Sequence, residues 1–306
     1  MAFNMTPFLP KNCYFLIFNR EEIMFGRVYY LTAFIWSALL LIPSAFLNLL
    51  LLRSLYLSLA LRKPSTLLLY SLSVSDLLIA IVLLPIYLTK KVAELTYNVE
   101  LFCFIGKHSY FFGYLFSASS LFTVTALSID RYLIIHKGVH YAEYVTRTKV
   151  TITVVSIWVI SIFLSSLQFV IPTNGVSTLA GFVTAICFFV TVVFYYKMLL
   201  KLRKTKMEAS QQSESATEIS SIPRYRKVTR TIMILFMVFI FCYLPYFCTK
   251  IVMSIIGDAK KGVESTECVV TVLTYTRAFI NPVILLCRTS EMKEAATFIM
   301  KRIIPC

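Results

Sequence analysis

Two ionisable residues stand within long apolar stretches of the chain. Asp76 interrupts the otherwise uncharged run 64–89, and Arg277 interrupts the run 268–287. Where such a run crosses a lipid bilayer, each ionisable residue costs about 2.5–3.5 kcal/mol on insertion scales. Residues retained at that cost usually pair with one another, line a watery path or bind a ligand. We therefore expect functional roles for Asp76 and Arg277.

A further group of ionisable residues, Asp130-Arg131-Tyr132, follows the apolar run 108–129. Arginine stays charged and offers five donors, so at a membrane edge Arg131 must pair with Asp130, with backbone or water, or with a docking partner. A side chain that chooses among such partners works as a switch. The alternative is an arginine that only anchors the membrane edge, and it does not account for the residues on either side.

The composition requires lipid as the main solvent of the chain. Of its 306 residues, 58% are hydrophobic and 15% are charged, and the mean hydropathy is +0.77. A membrane-spanning helix needs about 20 mainly apolar residues. Runs of that kind predict seven spans, at 28–52, 64–89, 108–129, two within 150–196 around a turn at 172–175, 231–249 and 268–287. The predicted fold is an all-α integral membrane bundle of seven helices.

The distribution of basic residues predicts how the bundle is oriented. Cytoplasmic flanks of membrane proteins collect Lys and Arg. With the N-terminus outside, 20 of the 30 basic residues fall inside, nine fall outside, and Arg277 lies within a span. We therefore predict a plasma-membrane protein with an extracellular segment 1–26, a seven-span domain 27–288 and a cytoplasmic tail 289–306. Asn4-Met5-Thr6 is a glycosylation sequon on the predicted outer side. The net charge of +15 follows from the same bias, so we predict membrane lipid and no nucleic acid as a partner.

Two segments outside the spans carry patterns of their own. The centre of the stretch 201–230 is rich in serine and glutamine, which predicts a mobile cytoplasmic linker open to phosphorylation. Basic residues flank it and suit lipid headgroups or an acidic partner. Residues 290–303 place apolar side chains among basic ones, which predicts a short amphipathic eighth helix at the membrane surface. Cys306 beyond it is a candidate for palmitoylation.

Recognisable motifs occur in six of the predicted spans, one in each. They are Asn48, the stretch 71–77 that contains Asp76, Asp130-Arg131-Tyr132, Trp158, the stretch 241–246 that contains Pro245, and Asn281-Pro282. In this order they resemble the rhodopsin-like G-protein-coupled receptors over nearly the whole chain. The resemblance implies a heterotrimeric G protein and an extracellular ligand as partners, no cofactor, no metal and no enzymatic activity. It assigns the coupling switch to Asp130, Arg131, Tyr132, Pro245, Asn281 and Pro282. The prolines mark bends, because proline removes a helix hydrogen bond.

Several positions depart from the pattern of this family. Tyr243 stands where members usually carry a tryptophan that toggles, and Leu285 replaces the tyrosine that closes the last motif. Tyr225 stands where some members have an acidic partner for Arg131. The usual disulfide to the second outer loop is absent, because that loop contains no cysteine. Cys103 could instead pair with Cys268 or Cys13. The short second loop and a fifth span without proline resemble the melanocortin, adenosine, cannabinoid and lysolipid receptor group.

Arg277 is the least expected residue when compared with the family. It lies one helical turn before Asn281, near Asp76 and Ser120, where members commonly hold a sodium ion. A fixed guanidinium there would compete with the cation. We hypothesise an Asp76–Arg277 ion pair in its place, within a central polar network of Asn48, Asp76, Ser120, Arg277 and Asn281. The alternative is an arginine that snorkels or lines a watery cavity.

The sequence indicates the class of ligand less clearly than it indicates the class of protein. Gly113 takes the place of the aspartate of amine receptors, and Gly106 and Tyr110 lack the acidic pair of melanocortin receptors, so neither ligand is implied. Residues that would face a ligand are Tyr87, Tyr110, Tyr114, Ser117, Tyr243, Tyr246, Phe247, Thr271 and Tyr275. Their side chains predict an aromatic, weakly polar pocket that suits a lipid or a small neutral molecule. A peptide is a further option.

A transporter or channel is the alternative class. It would show several paired charges within the spans, whereas the sequence indicates one acid and one base. A membrane hydrolase would need histidines or acids at one depth, and His108, His136 and His140 all lie near span ends. We therefore predict a receptor and no enzyme.

Overall fold

The computed structural model describes residues 11–13, 16–57, 64–171, 173–211, 216–256, 263–288 and 290–303. Two short strands come first, β1 (Lys11–Cys13) and β2 (Leu16–Phe18). The helices are α1 (Arg20–Phe25), α2 (Arg27–Leu57), α3 (Thr66–Leu78), α4 (Leu84–Leu95), α5 (Val99–Lys137), α6 (Tyr141–Tyr144), α7 (Arg147–Ser166), α8 (Thr173–Gln211), α9 (Ala216–Ile256), α10 (Val263–Arg288) and α11 (Ser290–Ile303). A π-helix, Ile79–Leu83, joins α3 to α4.

Seven helical segments among the described residues are long and apolar enough to cross a membrane. They are α2, α3 with α4, α5, α7, α8, α9 and α10, which confirms the predicted seven-helix fold. Large apolar side chains such as Phe182 and Phe189 on α8 point outward and are exposed. Exposed apolar surface of this extent suits lipid and not water. The predicted eighth helix is α11, with Met292 and Ala296 buried on one face.

The helices continue past the charged residues that bound the predicted spans. The second span runs to Leu95 and not to Thr89, and the third begins at Val99 and not at His108. The predicted turn at 172–175 is misplaced, because α8 already begins at Thr173. Charged side chains do not end a helix if they form ion pairs or reach the membrane interface. Spans that are bounded at the nearest charged residue are therefore predicted too short.

Helix also occupies most of the stretch 201–230. α8 reaches Gln211 and α9 begins at Ala216, so a mobile linker over the whole centre of this stretch is wrong. Lys, Arg, Glu, Met, Ala and Leu are good helix formers, and they make up residues 201–209 except for Thr205. Residues 212–215 lie outside the described residues, as do the serine side chains predicted to be phosphorylated and the side chain of Tyr225.

α5 runs through the middle of the bundle and packs against α3, α4, α7, α8 and α9, while α10 lies between α9 and α2. Trp158 on α7 donates its indole N–H to Ser71 Oγ at 3.1 Å, which ties α7 to α3. Ser71 also lies within hydrogen-bonding distance of Thr123 Oγ1 on α5, at 3.3 Å. The three helices therefore meet at one buried polar point.

The second span contains an irregular turn directly after Asp76. Residues 79–83 form a π-helix, and Pro85 begins the next α-helical segment. Proline at position 85 has no N–H for the carbonyl of Ile81, and its ring would press against that carbonyl in a regular helix. A π-turn accommodates the extra residue. The part of the span beyond it is rotated by about 100° relative to a continuous α-helix.

The N-terminal segment folds back onto one end of the bundle. β1 and β2 form an antiparallel hairpin that pairs Cys13 with Leu16. Asn19 caps α1 by accepting from the backbone N–H of Glu22 at 3.2 Å. Cys13 forms a disulfide with Cys103 on α5, with 5.1 Å between the Cα atoms. Of the two partners left open for Cys103, the structure selects Cys13, and Cys268 is not in a disulfide. We call this the disulfide end and the opposite one the Arg131 end.

Candidate functional site

The centre of the bundle holds a buried ion pair. Arg277 on α10 donates from Nη1 to Asp76 Oδ1 on α3 at 2.8 Å. Arg277 is 1% exposed and Asp76 is fully buried. A buried charge is tolerated where it is paired and where its remaining donors or acceptors are satisfied. The surroundings of the guanidinium therefore decide whether this pair is stable.

Three further acceptors surround the Arg277 guanidinium. Ser120 Oγ accepts from Nη1, and the Phe116 carbonyl on the same helix accepts from Nη2 at 3.3 Å. The Tyr243 hydroxyl on α9 accepts from Nε at 3.2 Å. A phenol can accept this bond, whereas a tryptophan indole is a donor only. The tyrosine at position 243 and the arginine at position 277 therefore fit one another chemically.

The second carboxylate oxygen of Asp76 is also bonded. Asn281 donates from Nδ2 to Asp76 Oδ2 at 2.7 Å. Asn48 on α2 donates to the Ala278 carbonyl at 2.7 Å and to the Ser44 carbonyl at 2.9 Å. All five residues predicted for the polar network thus lie together, with Asn48 joined through the backbone of α10. We call Asp76, Ser120, Tyr243, Arg277 and Asn281 the Arg277 network.

At the Arg131 end, Asp130 and Arg131 lie against one another loosely. Arg131 Nε is 3.5 Å from Asp130 Oδ2, and neither atom has a hydrogen-bond partner among the described residues. The Tyr141 hydroxyl donates to the other oxygen of Asp130 at 2.6 Å. Burial, and then this bond, raise the pKa of Tyr141, so its phenol stays protonated as the donor. Asp130 is thus fixed by a hydrogen bond from Tyr141, whereas Arg131 Nε has no hydrogen-bond partner among the described residues.

α8 and α9 close over Arg131. The cavity beside it has a volume of about 10 Å³, and its lining includes Thr191 and Tyr195 from α8 and Ile232 and Phe236 from α9. A space of this size holds about one water. Tyr132 points elsewhere, with its ring stacked on His136 at 5.2 Å and edge-on to Phe194 at 5.2 Å. The Arg131 side chain is therefore mostly buried in this conformation, with 14% of it exposed, and movement of α8 or α9 would expose more of it.

The two prolines predicted to act as hinges lie inside long helices. Pro282 is in α10, directly after Asn281 of the Arg277 network. Pro245 is in α9, two residues after Tyr243. The Thr249 hydroxyl donates to the Pro245 carbonyl at 2.9 Å, and a bond of this type often bends a helix. Both bends therefore adjoin residues of the Arg277 network.

The predicted ligand residues lie toward the disulfide end, and most form a series of rings. The ring centroids of Tyr110 and Tyr114 are 6.5 Å apart, and the side chains of Tyr114 and Tyr246 lie next to one another. Phe247 lies 6.0 Å from Tyr246 and 6.4 Å from Tyr243. We call Tyr110, Tyr114, Tyr246, Phe247 and Tyr243 the ring series. It runs from the disulfide end to the Arg277 network.

Four of the predicted ligand residues lie beside this series. Tyr87 and Tyr275 meet edge to face with 5.4 Å between ring centroids. A Cβ added at Gly113 would lie 3.3 Å from the Tyr275 hydroxyl, so that ring covers the position where amine receptors carry an acid. Ser117 and Thr271 are half-buried and show no side-chain hydrogen bond to these rings within the described part of the chain.

The structure also buries two lysines that sequence reasoning placed at a membrane edge. Lys90 is 7% exposed and Lys91 is 1% exposed. Lys91 Nζ is 2.6 Å from Glu94 Oε2 and 2.9 Å from Cys268 Sγ. Lys90 Nζ is 3.8 Å from Glu94 Oε1. We call Lys90, Lys91, Glu94 and Cys268 the lysine cluster. The expectation of one acid and one base within the spans is therefore wrong, because the second span extends to Leu95 and includes these charged residues.

A signal for this cluster is present in the sequence. Glu94 follows the two lysines at helical spacings of three and four residues, at which opposite charges neutralise one another. Lysines near the end of an apolar run also mark a membrane edge, and for that reason the predicted second span ends directly before Lys90. Only the extension of α4 to Leu95 and the rotation introduced by the π-helix bring Lys91 against Tyr30 on α2, with Nζ 4.7 Å from the ring centroid.

The N-terminal hairpin and α1 cover the disulfide end of this site. Phe18 packs edge-on against Phe102 with centroids 5.2 Å apart. Glu22 is 3% exposed and accepts from the Ser265 hydroxyl at 2.8 Å, which joins α1 to α10. A Cβ added at Gly106 would lie 2.5 Å from Leu16 Cδ1, so β2 approaches α5 closely. The segment 1–26 was predicted only to be extracellular, and its described part is built into the site.

Among the described residues, no group of three or more His, Cys, Asp or Glu side chains could hold a metal ion. Asn4 and Cys306, the predicted modification sites, lie outside the described residues. Leu285, which replaces a family tyrosine, is 4% exposed and packs in the apolar core of the Arg131 end with Met292. An apolar side chain can be buried there without any hydrogen-bond partner.

The chain is similar to receptors of known class. It is 24% identical to the human neuromedin-U receptor 1 over 282 residues, which is 77% of this chain and 65% of that receptor. The mouse neuromedin-U receptor 1 is 26% identical over 281 residues, 76% of this chain and 64% of the relative. A 5-hydroxytryptamine receptor 2B from Dichotomyctere fluviatilis is 32% identical over 124 residues, 39% of this chain and 26% of the relative. The chain thus spans less than two thirds of each of these relatives.

None of these names belongs to the four receptor groups that the short second loop favoured, so that subgroup stays a prediction. The family described as 7 transmembrane receptor (rhodopsin family) matches residues 47–178 and 173–285, most of the chain. That match includes the Arg277 network, the ring series and Asp130-Arg131-Tyr132, and it agrees with the seven membrane-spanning helices. The chain belongs to the rhodopsin family of seven-transmembrane receptors.

Proposed function

We propose that this chain is a G-protein-coupled receptor of the plasma membrane, with the disulfide end outside and the Arg131 end in the cytoplasm. A ligand binds at the disulfide end, and a heterotrimeric G protein binds at Arg131. The observation that carries the proposal is the position of α9. Tyr243 joins this helix to Arg277, and Ile232 and Phe236, earlier in the same helix, line the cavity beside Arg131.

The geometry supports a simple sequence of events. A ligand that displaces a ring of the series disturbs Tyr243 and weakens its bond to Arg277. α9 then swings at Pro245, because a proline-bent helix has fewer internal bonds to resist the movement. The movement uncovers Arg131, whose contact with Asp130 is already loose. A ligand can shift this equilibrium only by its differential affinity for the two conformations, so the resting Arg277 network sets how much binding energy is required.

A transporter is the second candidate, and one observation favours it. Among the described residues, the ion pairs within or beside the spans include Asp76 with Arg277, Lys91 with Glu94, and Lys250 with Glu267 at 2.7 Å. Paired charges of this kind occur on ion and proton pathways. The receptor is favoured because the family consists of receptors and because Arg131 ends on a closed crevice and not on a path through the bundle. For the same reason we propose a receptor and not an enzyme.

The test measures G-protein activation in cells by sensors for each class of Gα subunit. Because the ligand is unidentified, the network is opened by mutation. The double variant Asp76→Asn, Arg277→Gln removes both buried charges and retains polar side chains. We expect it to raise ligand-independent signalling above that of the wild type at equal surface expression.

Arg131→Ala in the double variant should abolish that signal, and Arg147→Ala should not. Arg147 begins α7 at the same end and is exposed, so it controls for loss of a basic residue. An equal signal with and without Arg131, together with solute uptake that depends on Asp76, would favour the transporter and contradict the receptor.

A further inference from the structure

The lysine cluster contains more positive than negative charge. Glu94 is the carboxylate next to both Lys90 and Lys91, and its close contact is with Lys91, at 2.6 Å. Lys90 Nζ stays 3.8 Å from the other oxygen, which is beyond hydrogen-bonding distance. Two ammonium groups thus share one carboxylate in a site that is nine-tenths or more buried.

The neighbouring charges do not balance this excess. Lys250 and Glu267 form their own pair at 2.7 Å. Glu22 accepts from Ser265, on the α10 side of the hairpin. The thiol of Cys268 contacts Lys91. Within the described residues, therefore, Lys90 makes no hydrogen bond, and the lysine cluster keeps one uncompensated positive charge.

Aromatic rings also surround Lys90. Its Nζ lies 4.5 Å from the Tyr110 ring centroid and 5.6 Å from that of Phe102. The faces of aromatic rings attract a cation, but in a desolvated site they attract it less strongly than an anion does. They also provide an apolar wall for the body of a ligand. Tyr110 is the first member of the ring series, which leads from Lys90 to Tyr243.

We propose that the ligand of this receptor carries an anionic group, a carboxylate or a phosphate monoester, on an apolar or aromatic body. The anion pairs with Lys90, and the body lies along the ring series toward Tyr243. This inference rests on the proposed ligand site at the disulfide end. It replaces a neutral ligand by a charged one, because a buried ammonium whose carboxylate partner is distant is stabilised more by an anion than by a neutral group.

The binding test uses full-length receptor in nanodiscs of neutral phosphatidylcholine, and the melting temperature Tm as the readout. Dodecanoate, dodecyl phosphate and dodecanol share one alkyl body. The first two separate a carboxylate from a phosphate, and the third removes the charge. 4-Phenylbutyrate and 4-phenylbutanol repeat the comparison with an aromatic body. We expect at least one anion to raise Tm in a saturable manner and its neutral counterpart to act at least about tenfold more weakly.

Lys90→Gln should weaken binding of that anion at least about tenfold, and Lys90→Arg should retain most of it. Lys107→Gln is the matched control, because it removes the same charge at the same end, where Lys107 Nζ lies 5.9 Å from the ring of the exposed Phe104. Equal binding of the anion and the alcohol, no shift with any anion, or an unchanged affinity in Lys90→Gln would each overturn the proposal.

A second measurement needs no ligand. If Lys90 is retained for an absent anion, Lys90→Met should stabilise the empty receptor, because it removes a buried charge and leaves the Lys91–Glu94 pair intact. We expect a rise in Tm of about 2 °C or more. A fall in Tm would show a structural role for Lys90 and overturn the proposal. Neither measurement uses a G protein. A negative result would therefore contradict the anionic ligand without contradicting the proposed receptor signalling.

Discussion

Arg277 and Tyr243 depart from the family pattern at two positions that contact one another. The guanidinium needs acceptors on several sides, and the phenol of Tyr243 supplies one from a different helix. An indole at position 243 would oppose one donor to another. The two unusual residues therefore constitute a single structural change, in which a protein cation pairs with Asp76 and is tied to the helix that covers Arg131.

At this scale we predict the effect of Tyr243→Phe. The variant leaves Arg277 Nε buried without its acceptor, which should cost about 1–3 kcal/mol of the free energy of unfolding. It should also raise ligand-independent signalling, because the bond between α9 and α10 is lost. Tm of the purified receptor and basal G-protein activation are the measurements. Tyr196→Phe removes the same hydroxyl from an exposed position on α8 and should change neither. Unaltered Tm and signalling in Tyr243→Phe would contradict the role of this bond.

Among the secondary-structure elements, the N-terminal hairpin and the second span determine the shape of the proposed ligand site. The π-helix turns the disulfide half of the second span so that Lys91 lies between α2 and α10. The hairpin closes over Phe102 and is fixed to α5 by the disulfide. Access to Lys90 thus depends on two irregular elements that join regular helices.

The disulfide prediction belongs to this scale. The double variant Cys13→Ser, Cys103→Ser opens a loop with a sequence separation of 90 residues, for which chain entropy indicates a loss of about 4–5 kcal/mol. We expect a lower Tm and faster association of the anionic probe, because the hairpin is released from α5. The free cysteine Cys287 is exposed on α10, and Cys287→Ser should leave both quantities as in the wild type. A double variant with wild-type Tm and association rate would show that the disulfide does not hold the hairpin.

The whole molecule has an asymmetric charge distribution and two closed ends. The hairpin covers one end, and α8 and α9 close the other over Arg131. Of the basic residues assigned to the outer side, Lys90 and Lys91 are buried in the bundle. The remaining excess at the Arg131 end favours a cytoplasmic position for that end. Resting closure at both ends suits a receptor that responds only when its ligand is present.

Orientation is the prediction for the whole molecule. An epitope tag placed before Met1 should bind antibody on intact cells, and a tag placed after Cys306 should require permeabilised cells. Glycosidase treatment should reduce the mass of the wild type and not that of Asn4→Gln, if the sequon faces outward. Antibody access to the C-terminal tag on intact cells would reverse the orientation and, with it, the proposed positions of ligand and G protein.

The seven spans, the eighth helix and the family follow from the sequence alone, because apolar length and short motifs are local properties. The ends of the helices do not, because charged residues near them can be neutralised by residues that only the fold brings close. The Asp76–Arg277 pair could be predicted because the family resemblance places Asp76 at the bundle centre and Arg277 lies one helical turn before Asn281, which the resemblance also places there. The Tyr243 bond requires α9 to approach α10, and no local pattern encodes that distance.

The proposed ligand site shows most clearly the difference between what the sequence determines and what only the tertiary structure determines. Its aromatic residues could be named from the sequence, because their positions follow from helical counting. The charge of the site could not, because Lys90 and Lys91 enter it only through the π-helix, the continuation of α4 and the packing of α5 and α10 against them. Burial is a property of the assembled bundle. The sequence by itself determined which family of receptors this chain belongs to, and the tertiary structure decided that two buried lysines adjoin the aromatic residues of the proposed ligand site.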